Sequence, residues 1–234
     1  MSAWNPVEGV PGLWCRARAT GGVPMWNAFA LRLADGSLAV LSAPPSPGEG
    51  EMAELEALGR PSVLLAPNHY HNLGLRGFSQ RFPSALAVST AAARPRLLAK
   101  TGVATLGVEA LAERLPPGVT LLVPPGTKQG EVWLRFTTPT GVTWLVTDAF
   151  FNVTPLPQNP FGWFLWLTQG APGLRIGGTF LAVGLADRRE YYPWLADQLV
   201  ADQPTTLLTA HGEAARDSEL WRRLGEIARG RLGG

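Results

Sequence analysis

The apolar runs of this chain fall into two similar series, each a block of strands followed by alternating strands and helices, and that repeat restricts the folds open to it. The first series opens with strand-like runs at Leu13–Ala19, Trp26–Leu33 and Leu38–Ser42. Asp35-Gly36 joins the last two, and this dipeptide between apolar runs marks a hairpin because the tight turn needs positive φ. A Pro- and Gly-rich loop, Ala43–Gly50, leads to Glu51–Leu58, where Met52, Leu55 and Leu58 recur on one helical face. Ser62–Ala66 then reads as a short buried strand. A helix ending near Phe82, a strand at Ala85–Ser89, a helix at Ala91–Lys100 and a strand at Val119–Val123 complete the series. The second series has strands at Val132–Thr137 and Val142–Thr147, joined around Pro139–Gly141, and then an irregular stretch, Phe151–Arg175. It closes with a helix at Tyr191–Val200, a strand at Thr205–Thr209 and a helix at Ala214–Arg229. Two such halves, each giving a sheet with helices outside, predict an α/β (α+β) architecture in one domain, residues 1–234.

Composition narrows the function classes. With 46% hydrophobic and 16% charged residues the chain has ample core and none of the profile of disorder. Its longest apolar stretch, Phe161–Leu167, falls far short of the roughly 20 residues a membrane span needs. The opening Met1-Ser-Ala-Trp-Asn-Pro has no basic region followed by an apolar one, so a cytoplasmic location and no membrane partner are expected. A net charge of +2 is too mild to imply nucleic acid, and Arg216, Arg222, Arg223, Arg229 and Arg231 read as a solvated helix face. The single Cys15, in an apolar run, is expected to be a packed, inert thiol.

All three histidines follow strand ends: His69 and His71 after Ala66, and His211 after Thr209. Asp148 follows Thr147 in the same way. Ligand sites in α/β sheets lie just beyond the carboxyl ends of strands, where a rigid backbone meets variable loops. In an extended His-x-His both rings can face one ion, and an aspartate adds the hard oxygen that zinc or iron also accepts.

The stretch His69-Tyr-His71-Asn-Leu73-Gly74-Leu-Arg-Gly77 resembles the His-x-His-x-Asp-His-x-x-Gly signature of the metallo-β-lactamase fold superfamily. Leu73 stands in place of the signature's aspartate and Gly74 in place of its third histidine. Gly126-Thr127-Lys128-Gln129-Gly130 is similar to the next signature, Gly-His-Thr-Pro-Gly, with Thr127 where the family has histidine. Asp148 matches the bridging aspartate after Leu-Val-Thr, and His211-Gly212 matches the last histidine pair. The resemblance implies a four-layer αββα sandwich of metallo-β-lactamase type. It implies a reduced metal site of His69, His71, Asp148 and His211, holding one divalent metal ion, zinc first and iron or manganese as alternatives. Asp148 and His211 would be its catalytic residues.

The implied reaction is mononuclear metal-dependent hydrolysis of an ester, thioester or phosphoester in a small-molecule substrate. The alternative is a non-catalytic protein of the same fold that binds a small apolar ligand or a protein partner. Tyr70, Thr127, Lys128 and Glu213 lie near the expected site and could orient substrate, with Lys128 offsetting part of a missing ion's charge. The aromatic segment 151–175 reads first as a packed insertion, with a lid, a substrate wall or a homo-oligomer contact as its functional alternatives.

Overall fold

The structure is a computed structural model, and it describes residues 2–20, 23–156, 158–168 and 170–232. Its first half runs β1 (Asn5–Pro6), β2 (Leu13–Thr20), β3 (Val23–Arg32), β4 (Leu38–Leu41), α1 (Glu49–Leu58), β5 (Pro61–Leu65), α2 (Leu75–Arg81), β6 (Leu86–Val88), α3 (Arg94–Thr101) and α4 (Glu109–Ala112). The second half runs β7 (Val119–Leu122), β8 (Trp133–Thr138), β9 (Gly141–Val146), β10 (Phe151–Val153), α5 (Pro160–Leu167), β11 (Gly173–Arg175), α6 (Arg188–Asp202), β12 (Thr206–Thr209), β13 (Ala215–Arg216) and α7 (Leu220–Leu232). A π-helical turn at Phe180–Gly184 precedes α6.

Two mixed sheets carry the fold. One has the order β1-β2-β3-β4-β5-β6, antiparallel as far as β4 and parallel from β4 to β6. The other has the order β13-β12-β9-β8-β7, in which only the β12–β9 pair is parallel. Strand alternation sorts side chains to two faces of each sheet. Ala39 and Leu41 of β4 and Val63 and Leu65 of β5 meet Leu134, Phe136, Leu145 and Leu208 of the other sheet in the central core. Their neighbours Leu38, Val40 and Leu64 turn outward onto Leu55 of α1, Phe78 of α2 and Leu97 of α3. Trp133, Trp144, Val146 and Leu207 turn outward on the second sheet, onto Tyr191, Leu195 and Leu199 of α6 and Leu220 and Leu224 of α7. Helices, sheet, sheet and helices therefore stack as four layers, which is the expected αββα sandwich.

Two stretches differ from the sequence reading. Within 151–175 the described residues form a two-stranded β10–β11 ribbon and α5. Asn159 caps that helix, its Oδ1 accepting the Gly162 amide at 2.8 Å, and Pro160 supplies the favoured first-turn residue. The last helix begins at Leu220 and not at Ala214, because Ala215–Arg216 first pairs with β12. No helix among the described residues is long and apolar enough to cross a membrane.

Candidate metal centre

Parallel pairing places several carboxyl-terminal strand ends on one edge. β4 delivers Ser42, β5 delivers Asn68 to His71, β9 delivers Asp148 and β12 delivers His211. Asn27 of β3 ties the two sheets together at this edge. Its amide N–H donates to Ala210 O at 2.8 Å, and its Nδ2 donates to Thr209 O at 2.8 Å and Gly212 O at 2.7 Å. The His211 carbonyl accepts from Asn152 N at 3.0 Å, so the β10 backbone lies close against the turn. Gly212 has φ +102°, and a Cβ there would fall 2.0 Å from Asn152 O, so only glycine fits.

His71, Asp148 and His211 converge, with one ligand atom from each lying within 4.8 Å of the others. Both histidines address the same carboxylate oxygen: Asp148 Oδ1 lies 3.1 Å from His71 Nε2 and 3.0 Å from His211 Nε2. The second oxygen, Oδ2, accepts from Asn68 Nδ2 at 2.9 Å. Burial alone would raise the Asp148 pKa. The charge of His71, then the hydrogen bonds from His211 and His71 and the charge of His211, outweigh it and hold the carboxyl well below the usual carboxylate range.

Aromatic rings fix both imidazole planes. Trp26 stacks on His71 with centroids 4.5 Å apart and planes at 24°, and Phe151 stacks on His211 at 4.9 Å and 9°. His71 Nδ1 lies 3.0 Å from Ser42 Oγ, which locks the ring from its far side. Ser42 holds a left-handed backbone conformation, φ +52°, uncommon for a residue with a side chain. Within the pair His71 is the more enclosed, its side chain 1% exposed against 15% for His211.

Beneath this cluster lies a second carboxylate, which sequence reasoning missed. Glu131 is fully buried, and its Oε1 accepts from the backbone N–H groups of Thr147, Asp148 and Ala149 at 3.2, 2.9 and 3.3 Å and from Trp133 Nε1 at 3.2 Å. Its Oε2 accepts from Asn68 Nδ2 at 3.0 Å and Gln129 Nε2 at 2.6 Å. Burial, then the nearby Asp148 charge, raise its pKa, while the Asn68, Thr147 and Gln129 donors pull it back. Asn68 belongs to both carboxylates and also turns the chain, its Oδ1 accepting the amides of Tyr70 at 2.8 Å and His71 at 3.1 Å.

His69 sits apart from the convergent group. The His-x-His segment is a turn and not an extended strand, and His69 is not among the residues whose ligand atoms lie within 4.8 Å of one another. His69 is buried, its Nε2 has no hydrogen-bond partner, and burial, then Arg96, lower its pKa. Its own amide donates to Gln129 O at 3.1 Å and its ring meets Tyr70 edge-on at 4.3 Å. Thr127 turns into its own loop, donating to Pro124 O at 3.2 Å and accepting from Glu131 N at 3.3 Å. Lys128 and Glu213 are exposed.

The donor chemistry fits one divalent ion. Two imidazole nitrogens and a carboxylate oxygen meet the three-ligand count of a catalytic zinc site. A partner on the far nitrogen, as Ser42 supplies to His71, is the usual companion of a metal-ligating histidine. A second site of the family type does not fit. Leu73 is 62% exposed, and a Cβ at Gly74 would lie 2.2 Å from Ala43 O, so no side chain can stand at position 74.

No protein-family model and no curated protein matches the chain. Solved structures do. The metallo-β-lactamase DIM-1 superposes with a TM-score of 0.61 at 11% identity, over 97% of this chain and 96% of that one. A metallo-β-lactamase from Pontibacter korlensis gives 0.61 at 12% identity, over 97% and 99%. FIM-1 from Pseudomonas aeruginosa, in its mono-zinc form, gives 0.59 at 11% identity, over 97% and 94%. Identities this low speak for architecture alone. The chain has the metallo-β-lactamase fold, with two mixed sheets, flanking helices and a His71–Asp148–His211 group that could hold a metal ion.

Proposed function

We propose that this protein is a mononuclear metal-dependent hydrolase of ester, thioester or phosphoester bonds, with zinc, or else iron or manganese, held by His71, Asp148 and His211. The observation that carries this reading is the convergence of both imidazole Nε2 atoms on one Asp148 oxygen. A bound ion would supply Lewis acidity and lower the pKa of water to about 7. The chain's own residues do the rest. Asp148 orients both rings, Asn68 fixes the carboxylate plane, and Trp26 and Phe151 shield the imidazoles from water. The mono-zinc form of FIM-1 offers a precedent for one ion on this fold.

The test is turnover of a nitrophenyl ester, a thioester and a phosphodiester by protein loaded with zinc, iron or manganese. Turnover abolished by chelator and by His211→Ala is expected. Its absence with every metal and substrate would remove the hydrolase reading. A second reading, a non-catalytic protein that binds an apolar ligand, a partner or its own copy, draws on α5. Trp163, Phe164, Trp166 and Leu167 there are 45% to 63% exposed on an eight-residue helix.

A further inference from the structure

Residues 149–186 include no aspartate or glutamate, and in their middle lies α5, which from Pro160 to Leu167 has no polar side chain. Leu165 holds this helix to the fold, packing with Val153, Leu156 and Ala171. On the other side Trp163, Phe164, Trp166 and Leu167 are 63%, 45%, 57% and 59% exposed. At 3.6 residues per turn these four side chains cover one continuous arc of about 160°, centred opposite Leu165. A surface helix ordinarily turns such a face to the core, and a large apolar face left in water marks an interaction surface.

α5 itself has no basic residue, and the fold supplies them at its carboxyl end. Gly170 N donates to Leu165 O at 2.7 Å and Gly178 N to Thr168 O at 2.8 Å, so β11, with Arg175, is a short excursion bonded at both ends to the last turn of α5. α7 ends beside the same turn. A Cβ placed on Gly178 would lie 2.3 Å from Thr168 O and 3.6 Å from Arg231 Nη2, which puts that guanidinium next to the α5 terminus. Burial, then the charges of Arg175 and Arg188, lower the Arg231 pKa, as where like charges gather.

An apolar face edged by positive charge alone selects its partner. A second copy of the chain, in an isologous contact, would bring up the same arginines and no acid from residues 149–186 to meet them. A bilayer with anionic headgroups supplies both complements, an apolar boundary for the aromatic arc and phosphates for the guanidinium groups. Tryptophan is enriched at that depth. At about 12 Å the helix is too short to cross a hydrocarbon core of about 30 Å, so it would lie along the surface. We infer that the exposed arc of α5, with Arg175 and Arg231 at its carboxyl end, is a docking surface for an anionic lipid bilayer. The docking needs neither a metal nor turnover.

The experiment is co-sedimentation of the full chain with vesicles of phosphatidylcholine alone and of phosphatidylcholine mixed with phosphatidylglycerol, beside sedimentation velocity without lipid. Wild type is compared with Trp163→Ser/Trp166→Ser, with Arg175→Gln/Arg231→Gln and with Arg76→Gln/Lys100→Gln, which removes two exposed charges from α2 and α3. Wild type should bind the mixed vesicles, and about tenfold or more weakly phosphatidylcholine alone. On mixed vesicles the tryptophan and arginine variants should each lose about tenfold or more, and the third variant about twofold or less. Far-ultraviolet circular dichroism shows that each variant is folded. Release of wild type from mixed vesicles by high salt tests the role of charge without any variant. No binding to mixed vesicles, equal binding to both vesicle types, or equal loss in all three variants overturns the lipid surface. So does self-association of wild type, abolished by the tryptophan change, in place of vesicle binding.

Discussion

Glu131 and Asp148 are buried carboxylates that share Asn68, yet their surroundings are opposite in kind. Glu131 is encircled by neutral donors, three of them backbone amides of the segment that carries Asp148. Asp148 faces two imidazoles, groups that can bear charge, bind metal or pass a proton. The first arrangement fixes a loop. The second leaves a group that could hold a metal ion, and the difference shows that burial alone does not set what a carboxylate can do: the chemistry of its partners does.

The comparison breaks most readily at Glu131. Glu131→Ala strands four donors on one side and two on the other in a dry interior, so a loss on the order of 3 to 5 kcal/mol is expected in urea unfolding. Asp148→Asn should cost less stability and should abolish metal binding, the reverse weighting. A Glu131→Ala protein as stable as wild type would remove the structural half of the contrast.

Acid titration sharpens the same contrast. The Asp148 pKa is depressed in the fold, so its contribution to stability is present above the unfolded carboxylate value, about 3.9, and is lost as pH falls below it. Glu131, raised by burial, acts in the opposite sense and gains relative stability on protonation. Urea midpoints between pH 6 and pH 3 should therefore fall more steeply for wild type than for Asp148→Asn. Parallel curves would show that the histidines do not stabilise the charged Asp148.

Ser42 tests how finely the Asp148 side is held. Ser42→Ala removes the partner of His71 Nδ1 and should weaken zinc binding by about 10- to 100-fold with little change in the unfolding midpoint. The smallest effect expected lies outside both carboxylates. Burial pushes the Cys15 thiol pKa up to about 12, so a thiol reagent at pH 7 should react only as the protein unfolds. Rapid labelling of folded protein would place Cys15 in a more open setting.

Much of the framework was legible in the sequence. The Asp35-Gly36 turn does join β3 to β4, with Gly36 at φ +83°. The alternation of Leu38, Ala39, Val40 and Leu41 between two cores gives the sheet its two buried faces, and Asp148 and His211 stand just past their strands as read. Other features depend on contacts distant in sequence. Trp26 lies on β3 and reaches His71 only through the fold, and Glu131 reads as an ordinary acid at a strand start until three amides from residues 147–149 close on it. At His69 the motif gives less than the fold: Asn68 bonds the following amides and bends the His-x-His segment into a turn, and the ligand atoms that come within 4.8 Å of one another are those of His71, Asp148 and His211. For α5 a local signal did exist, Asn159-Pro160 as a helix start, beneath a composition rich in Gly, Pro and aromatics.

The central claim is that one metal ion is held by His71, Asp148 and His211, with His69 outside its shell. Zinc titration of the chelator-stripped protein, with metal content measured on the product, tests it most directly against His69→Ala, His71→Ala, Asp148→Asn and His211→Ala. The account expects one zinc per wild-type chain, binding lost in the last three variants and largely kept in His69→Ala. Two ions per chain, no binding, or a His69→Ala protein as impaired as His71→Ala would contradict it.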